Sequence, residues 1–378
     1  MKVVCAIDSF KGSLSSIQAS NAVKEGFQKV DPNVDVVISP LADGGEGTVD
    51  ALVEGMHGIK KVVSVHGPLK ENVDCTYGII QDTAIIEMSG AAGLPLLSRK
   101  ERNPYYTTTY GVGEVIKDAI KNGCRKFIVG IGGSATSDGG VGMLQALGFH
   151  FLDKDGNEVP FGAIGLKDID SITEEIDPVL KECTFRIASD VNNPLCGEYG
   201  CSYIYGPQKG ATQEMIENMD VWMKHYSEVT KKYYPDADET VPGSGAAGGM
   251  GFAFHTFINA EMKSGIEIVL EELHFDEMIK DADLVITGEG RLDHQTSMGK
   301  APIGVASHAK KYGLPVIAFA GCLQNAYACN ENGIDAYFPI IPRIMTITEA
   351  MDKDIAYQNL KDTAEQVYRL WSLKTKWK

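Results

Sequence analysis

The 378-residue sequence is short of positive charge: 35 Lys and Arg stand against 51 Asp and Glu, a net charge of −16. A general nucleic-acid binder wants a basic face, and an anionic membrane surface repels a chain this acidic, so neither partner is expected. Long hydrophobic runs are missing too. The apolar start MKVVCAI stops at Asp8, too short for a secretory h-region of roughly 7–15 residues. Residues 240–260 carry no Asp, Glu, Lys or Arg, but they hold five glycines, Pro242, His255 and Asn259. They read as a loop feeding a buried helix, not a membrane span. The eight cysteines form no CxxC pair and no Cys/His metal spacing, which points to reduced thiols and a cytoplasmic protein. The usual nucleotide signatures are also absent. There is no GxxxxGK[ST], and Gly299-Lys300 lacks both the upstream Gly and the following Ser or Thr. No GxGxxG follows a strand with an acid at the required distance, and the protein-kinase set is missing. Trp222, Trp371 and Trp377 read as packing or tail residues rather than a stacking platform.

Glycine is abundant instead. The 41 glycines are about 11% of the chain, against an average near 7%. They cluster beside polar and charged residues, as expected of backbone loops that approach a ligand closely. An anionic ligand would need local cations to overcome the overall field. Lys11, Lys209, Arg291 and Lys300 lie within or beside such loops and could offset phosphate or carboxylate charge.

The hydrophobic rhythm divides the chain. Residues 3–7 read as a buried strand, 8–12 as a loop, and a helix follows from about Ser16. A second strand at 34–38, a loop at 42–48 and a short helix repeat the unit, which argues for parallel βαβ structure. Residues 62–65, 73–79 and 84–88 are then three strands with only short polar breaks, so they should be antiparallel. Later come a helix at 113–121, strands at 127–131 and 184–189, and a long helix from about Thr212 that stops near Pro235. The last third regains the first rhythm: strands at 284–287, 316–320 and 336–340, a loop at 288–293, and helices at about 299–312 and 348–370. The ends match each other and the middle does not. The simplest account is one doubly wound α/β domain built from both termini, residues 1–60 and 281–378, with a second α/β domain of mixed sheet, residues 61–280, inserted and an active-site cleft between them.

Three loops of the terminal domain, 8–12, 43–48 and 288–293, follow strands and should share the rim where ligands bind in open parallel sheets. Asp43, Glu46, Asp190, Glu289 and Asp293 suit Mg²⁺, which takes one or two carboxylates together with substrate phosphates. Residues 130–140 are the strongest phosphate cradle: a glycine-rich turn between a strand and a helix, with Ser134, Thr136 and Ser137 as hydroxyl donors. Residues 243–251 are a weaker second stretch. His294 is the one histidine in a motif loop and reads as a bystander.

These motifs together resemble the glycerate kinase family, the type with the DSFKGSL start. The matching stretches are DSFKGSL from Asp8, PLADGGEGT from Pro40, GIGGSAT from Gly130, SDVNNPL from Ser189, GPQKGA from Gly206, GAAGG from Gly245 and TGEGRLD from Thr287. They occur in the family's order across nearly the whole chain. Ser137 stands where the family would have Asn, and Cys201 where it would have Ala. The resemblance implies a flavodoxin-like domain with an insert, and ATP-dependent phosphorylation of D-glycerate with Mg²⁺ in the cytoplasm, 2-phosphoglycerate being the favoured product, by a monomer or homodimer. It places Lys11 and the backbone of Gly132, Gly133, Ser134, Ala135, Thr136 and Ser137 on the triphosphate. Asp190, Glu289 or Asp293 would hold Mg²⁺. Arg291 would clamp the glycerate carboxylate, with Ser9, Gly44 and Gly45 beside the substrate. Asp43 or Asp8 would orient the attacking hydroxyl and accept its proton. The rival reading is a non-catalytic sensor of small hydroxy acids, which would not need so many carboxylates in its glycine loops.

Overall fold

The computed structural model describes residues 1–294, 296 and 299–373, so Trp377 lies outside the described residues. In chain order the strands are β1 (Lys2–Ile7), β2 (Asp35–Ile38), β3 (Ile59–His66), β4 (Asn72–Ile80), β5 (Thr83–Glu87), β6 (Lys126–Gly130), β7 (Phe149–Leu152), β8 (Ser171–Glu174), β9 (Thr184–Ala188), β10 (Glu261–Lys263), β11 (Leu284–Leu292), β12 (Val316–Leu323) and β13 (Ala336–Pro339). The chain divides into two compact units. One comprises Met1–Asp43, Asp50–Met56 and Ile266–Lys378; the other comprises Gly44–Val49 and His57–Gly265. The rhythm of the sequence set the crossings near residues 60 and 280. The contacts instead assign residues 44–49 to the inserted unit, and 266–280 to the terminal one. Ile266 packs where Gly304 leaves no side chain, which ties that segment to the terminal unit.

The terminal unit is built on a five-stranded sheet ordered β13-β12-β11-β1-β2, parallel at every pairing. Residues 3–7 are wholly buried, as a central parallel strand requires of an uninterrupted apolar run. Val3, Cys5 and Ile7 pack with Ala19, Val23 and Phe27 of the helix Ser16–Gln28 and with Leu360 and Ala364 of the helix Lys353–Leu373. That first helix starts at a capping box in which Ser15 and Gln18 satisfy each other's backbone N–H groups. The helix Ala301–Lys311 packs against β11 and β1. Counted within this unit, the strand order is that of a flavodoxin-like doubly wound sheet, whose topological switch point lies between its first and third strands, here β1 and β11.

Two details differ from the sequence reading. Residues 288–293 were expected as a loop, but β11 continues to Leu292, paired with β12 through Glu289–Ala320, Arg291–Cys322 and Leu292–Leu323. Its pairing with β1 ends at Ile7–Gly288, so the last residues of β11 overhang the end of β1. Gly, Glu and Arg are weak strand formers, and only the long neighbour β12 holds them extended. The last helix is broken into Ile347–Met351 and Lys353–Leu373, with Asp352 in extended backbone between them.

The inserted unit carries a six-stranded mixed sheet ordered β10-β9-β6-β5-β4-β3, in which the β3–β4 and β4–β5 pairs are antiparallel and the remaining pairs parallel. The hairpin β7–β8 and the short β10 left no clear periodicity in the sequence. Phe127 and Phe185 stack at 4.6 Å between ring centres in its core. Among the described residues, no helix is long and apolar enough to cross a membrane.

Candidate active site

The switch point of the terminal sheet is where the chemistry collects. A cavity of about 650 Å³ opens there, and Asp8, Ser9, Lys11, Asp43, Glu289, Arg291, Asp293 and Lys300 form its polar wall. The first seven of these were expected site residues, brought together from three segments of sequence.

The backbone explains how. Asp8 is the first residue past β1, and its N–H donates to the carbonyl of Gly288 at 2.9 Å. The Ser16 hydroxyl donates to the Ile7 carbonyl at 2.6 Å and accepts from the Leu41 N–H at 2.8 Å. One buried hydroxyl thus fixes the end of β1 to the segment that carries Asp43. Between Phe10 and Leu14 the chain makes a tight turn, closed by reciprocal backbone hydrogen bonds, in which Gly12 takes φ +80°. Sequence reading passed over Ser16, because a serine in a first helical turn is ordinary.

Asp8 is 3% exposed, and among the described residues its carboxylate accepts a hydrogen bond only from the Ser9 N–H, at 2.7 Å. Burial, reinforced by the negative charge of Asp43 and opposed by Lys11, pushes its pKa up to about 7. Lys11 reaches Asp43 at 3.3 Å. Desolvation alone would weaken the Lys11 ammonium, but the combined pull of Asp43, Asp8 and Glu289 outweighs it and holds its pKa above the ordinary lysine value. Glu289 is raised by burial, although Thr296 and Lys300 counter the rise. Thr296 was missed by the sequence reading. Its hydroxyl donates to Glu289 at 2.5 Å, and its N–H donates to the Asp293 carboxylate at 3.2 Å. This fully buried threonine therefore sets the spacing of two of the expected metal ligands.

Among the described residues, no three His, Cys, Asp or Glu side chains gather into a metal-binding group. Glu289 and Asp293 remain a pair of hard oxygen donors linked through Thr296, and one or two carboxylates are what Mg²⁺ takes when phosphates supply the rest. Asp190, the third expected ligand, is exposed at the end of β9 in the inserted unit, where Ser264 and the Gly265 N–H donate to it at 3.0 and 3.1 Å. Glu46 is exposed in that unit as well.

The glycine-rich turn after β6 is held from behind. Asp138, buried, accepts from the Thr109 N–H and hydroxyl and from the N–H groups of Gly140 and Gly142. Gly132 and Gly133 are exposed, so their backbone is open to a ligand, whereas Ser134 and Ala135 are buried. Thr136 and Ser137 are 0% exposed, and their hydroxyls find no partner among the described residues. The phosphate-donor role expected of those two hydroxyls is thus not the one this structure offers, because the turn curls them into the core. Gly44, expected near the substrate, takes φ +84°, and its backbone lies so close to Ala188 and Gly265 that a Cβ would come within 2.7 Å of each. Its carbonyl would be 2.2 Å from a Cβ on Gly130. Gly44 and Gly130 therefore serve close backbone packing within the inserted unit; Gly45 is half-buried beside them.

Lys209, read as a loop cation, is instead 1% exposed and donates to the Thr136 carbonyl. Burial lowers its pKa to about 8, against the opposing pull of Cys201 and Asp138. From about pH 8 to 10 the unfolded chain keeps a proton that the folded protein has released, so this group adds stability as pH rises. The Lys209→Met variant lacks that gain. Its stability relative to wild type, from urea melts at pH 7.5 and 9.5, should fall over the interval by about 2 kcal/mol.

All eight cysteines are free thiols. A profile of the glycerate kinase family matches residues 3–372. The chain is 48% identical over 364 residues to the glycerate 2-kinase of Escherichia coli K12, covering 95% of each chain. It is 47% identical over 378 residues to a glycerate kinase of Haemophilus influenzae, covering 99% of this chain and all of the other. A crystal structure assigned as glycerate kinase 2 from Salmonella typhimurium LT2 superposes with a TM-score of 0.92 at 44% identity, covering 100% of this chain and 99% of that one.

Proposed function

The chain belongs to the glycerate kinase family, and on that premise we propose that it transfers the terminal phosphoryl group of ATP to a hydroxyl of D-glycerate, releasing ADP, with 2-phosphoglycerate as the favoured product. The observation that carries this reading is the buried Asp8 carboxylate, with a pKa near 7, beside the Lys11–Asp43 pair at the switch point of the sheet. A general base works best when its pKa lies near the operating pH, and Asp8 meets that condition.

In this reading Asp8 accepts the proton of the attacking hydroxyl. Asp43 holds Lys11, and Lys11 and Lys300 neutralise charge on the phosphoryl oxygens, the main demand of a phosphoryl transfer. Arg291 clamps the glycerate carboxylate as a planar fork. Glu289 and Asp293 would hold Mg²⁺, which when bound neutralises charge on the phosphates. Any phosphate-binding role of residues 132–137 rests on the open backbone of Gly132 and Gly133. The free thiols support a cytoplasmic setting.

The test is a coupled assay of the purified protein with ATP, Mg²⁺ and D-glycerate, followed by phosphorus NMR of the product. A 2-phosphoglycerate resonance is the expected result, and a 3-phosphoglycerate resonance would correct the regiochemistry. ADP release with inorganic phosphate and neither phosphoglycerate would show transfer to water and reject D-glycerate as the acceptor, and no turnover at all would overturn the kinase reading.

A further inference from the structure

The cavity at the switch point has two unlike ends. Its polar wall comes from the ends of β1 and β11, from Asp43 and from Lys300. Its other wall is apolar, made by Phe10, Ile340, Ile341, Ile347, Met351 and Ala356. At about 650 Å³ the cavity falls in the range that encloses a drug-sized ligand, far more room than a three-carbon acid can fill. Glycerate carries no apolar group that would cover those side chains.

The apolar wall has a floor and a lip. Phe10, Ile340 and Ala356 are buried and form the floor. Ile347, 81% exposed, and Met351, 41% exposed, form the lip on the short helix Ile347–Met351. The capping box of Thr346 and Glu349 fixes that helix, so both apolar side chains are held outward at a standing cost in exposed surface. The lip also meets the charged wall directly. The Met351 methyl lies so near Gly12 that a Cβ there would be 2.9 Å away, and Gly12 can approach because it has no side chain.

The geometry points to this floor and lip as the seat of the nucleotide's planar base, with the phosphates directed toward Lys11 and Lys300. The planar base is the part of a nucleotide that would cover a buried Phe floor and a Met–Ile lip, and methionine sulfur adds favourable contact with aromatic rings. Lys11 and Lys300 line the same cavity as the apolar wall, so a polyphosphate tail leaving that seat has cations within the cavity to reach. The inference rests on the kinase reading for its choice of ligand.

The experiment compares wild type with Ile347→Ser and with Ile347→Ser/Met351→Thr, both altered at exposed positions. Calorimetry measures binding of ADP and of tripolyphosphate, which carries the charge without a base. Steady-state kinetics gives KM for ATP and for D-glycerate. The double variant should bind ADP about tenfold more weakly, equivalent to about 1.4 kcal/mol, while tripolyphosphate binding stays at the wild-type value. KM for ATP should rise and KM for D-glycerate should not. Unchanged ADP affinity, equal losses for ADP and tripolyphosphate, or a wild-type protein that fails to bind ADP would each overturn the base seat. A wild-type protein that binds ADP with the expected pattern but does not phosphorylate glycerate would support the seat and reject the acceptor, so the two readings fail separately.

Discussion

Asp8→Asn should lower kcat by a factor on the order of 10²–10⁴, the usual contribution of a positioned general base, while making the protein more stable above pH 7. Both effects come from the same burial. Asp8 is 3% exposed and keeps its proton up to about pH 7, whereas the unfolded chain releases it near the ordinary aspartate value. Between those limits the folded protein holds a proton that the unfolded chain does not, so wild-type stability attributable to this group falls as pH rises and is gone above pH 7. Asparagine has the same shape and no charge to desolvate. The stability difference between Asp8→Asn and wild type should therefore be near zero at pH 4 and grow to on the order of 3 kcal/mol at pH 8. Urea melts at the two pH values check it, and a difference independent of pH would show that Asp8 is not buried as an acid. In the wild type, kcat should rise with pH through an apparent pKa near 7 as Asp8 becomes able to accept a proton.

Lys11→Ala is the second large effect. Removing a cation that neutralises developing charge typically costs 10²–10³ in rate, and kcat/KM for ATP should fall by about that factor. A second readout is tied to the geometry. Lys11 holds the Asp8 pKa down against burial and Asp43, so its loss should move the acid limb of the pH–rate profile to higher pH. Lys11→Arg keeps the charge and should restore much of the limb's position. If Lys11→Ala kept wild-type kcat and ATP KM, the phosphate role of Lys11 would be wrong.

The sequence made some of this legible and hid the rest for physical reasons. The apolar run of residues 3–7 is long enough and flanked closely enough by Asp8 and Gly12 to mark a central strand and its ligand-facing loop. The glycine loops were visible as a class, but their purposes were not. Gly12 leaves room at the cavity, whereas Gly44 and Gly130 let two backbones touch, and the letter is the same in each case. Thr136 and Ser137 look like phosphate donors in a turn of Gly, Ser and Thr, yet they face inward because Asp138 and Lys209 pull that turn toward the core. Ile347 and Met351 gave no signal at all, since two apolar residues one helical turn apart read as an ordinary packing face.

What the residues determined alone is local: strand and helix periods, the excess of acid, the absence of common nucleotide motifs, and a set of motifs specific enough to indicate the family. Tertiary structure decided which loops share a rim, how far β11 runs beyond β1, and which carboxylates lose water. Asp8 shows why. Its neighbours in sequence make it a turn residue, and only the packing of β1 against β11 and of Ser16 against Leu41 removes its solvent. A carboxyl that titrates near pH 7 is produced by burial and by charges distant in sequence, so it belongs to the fold and not to the motif.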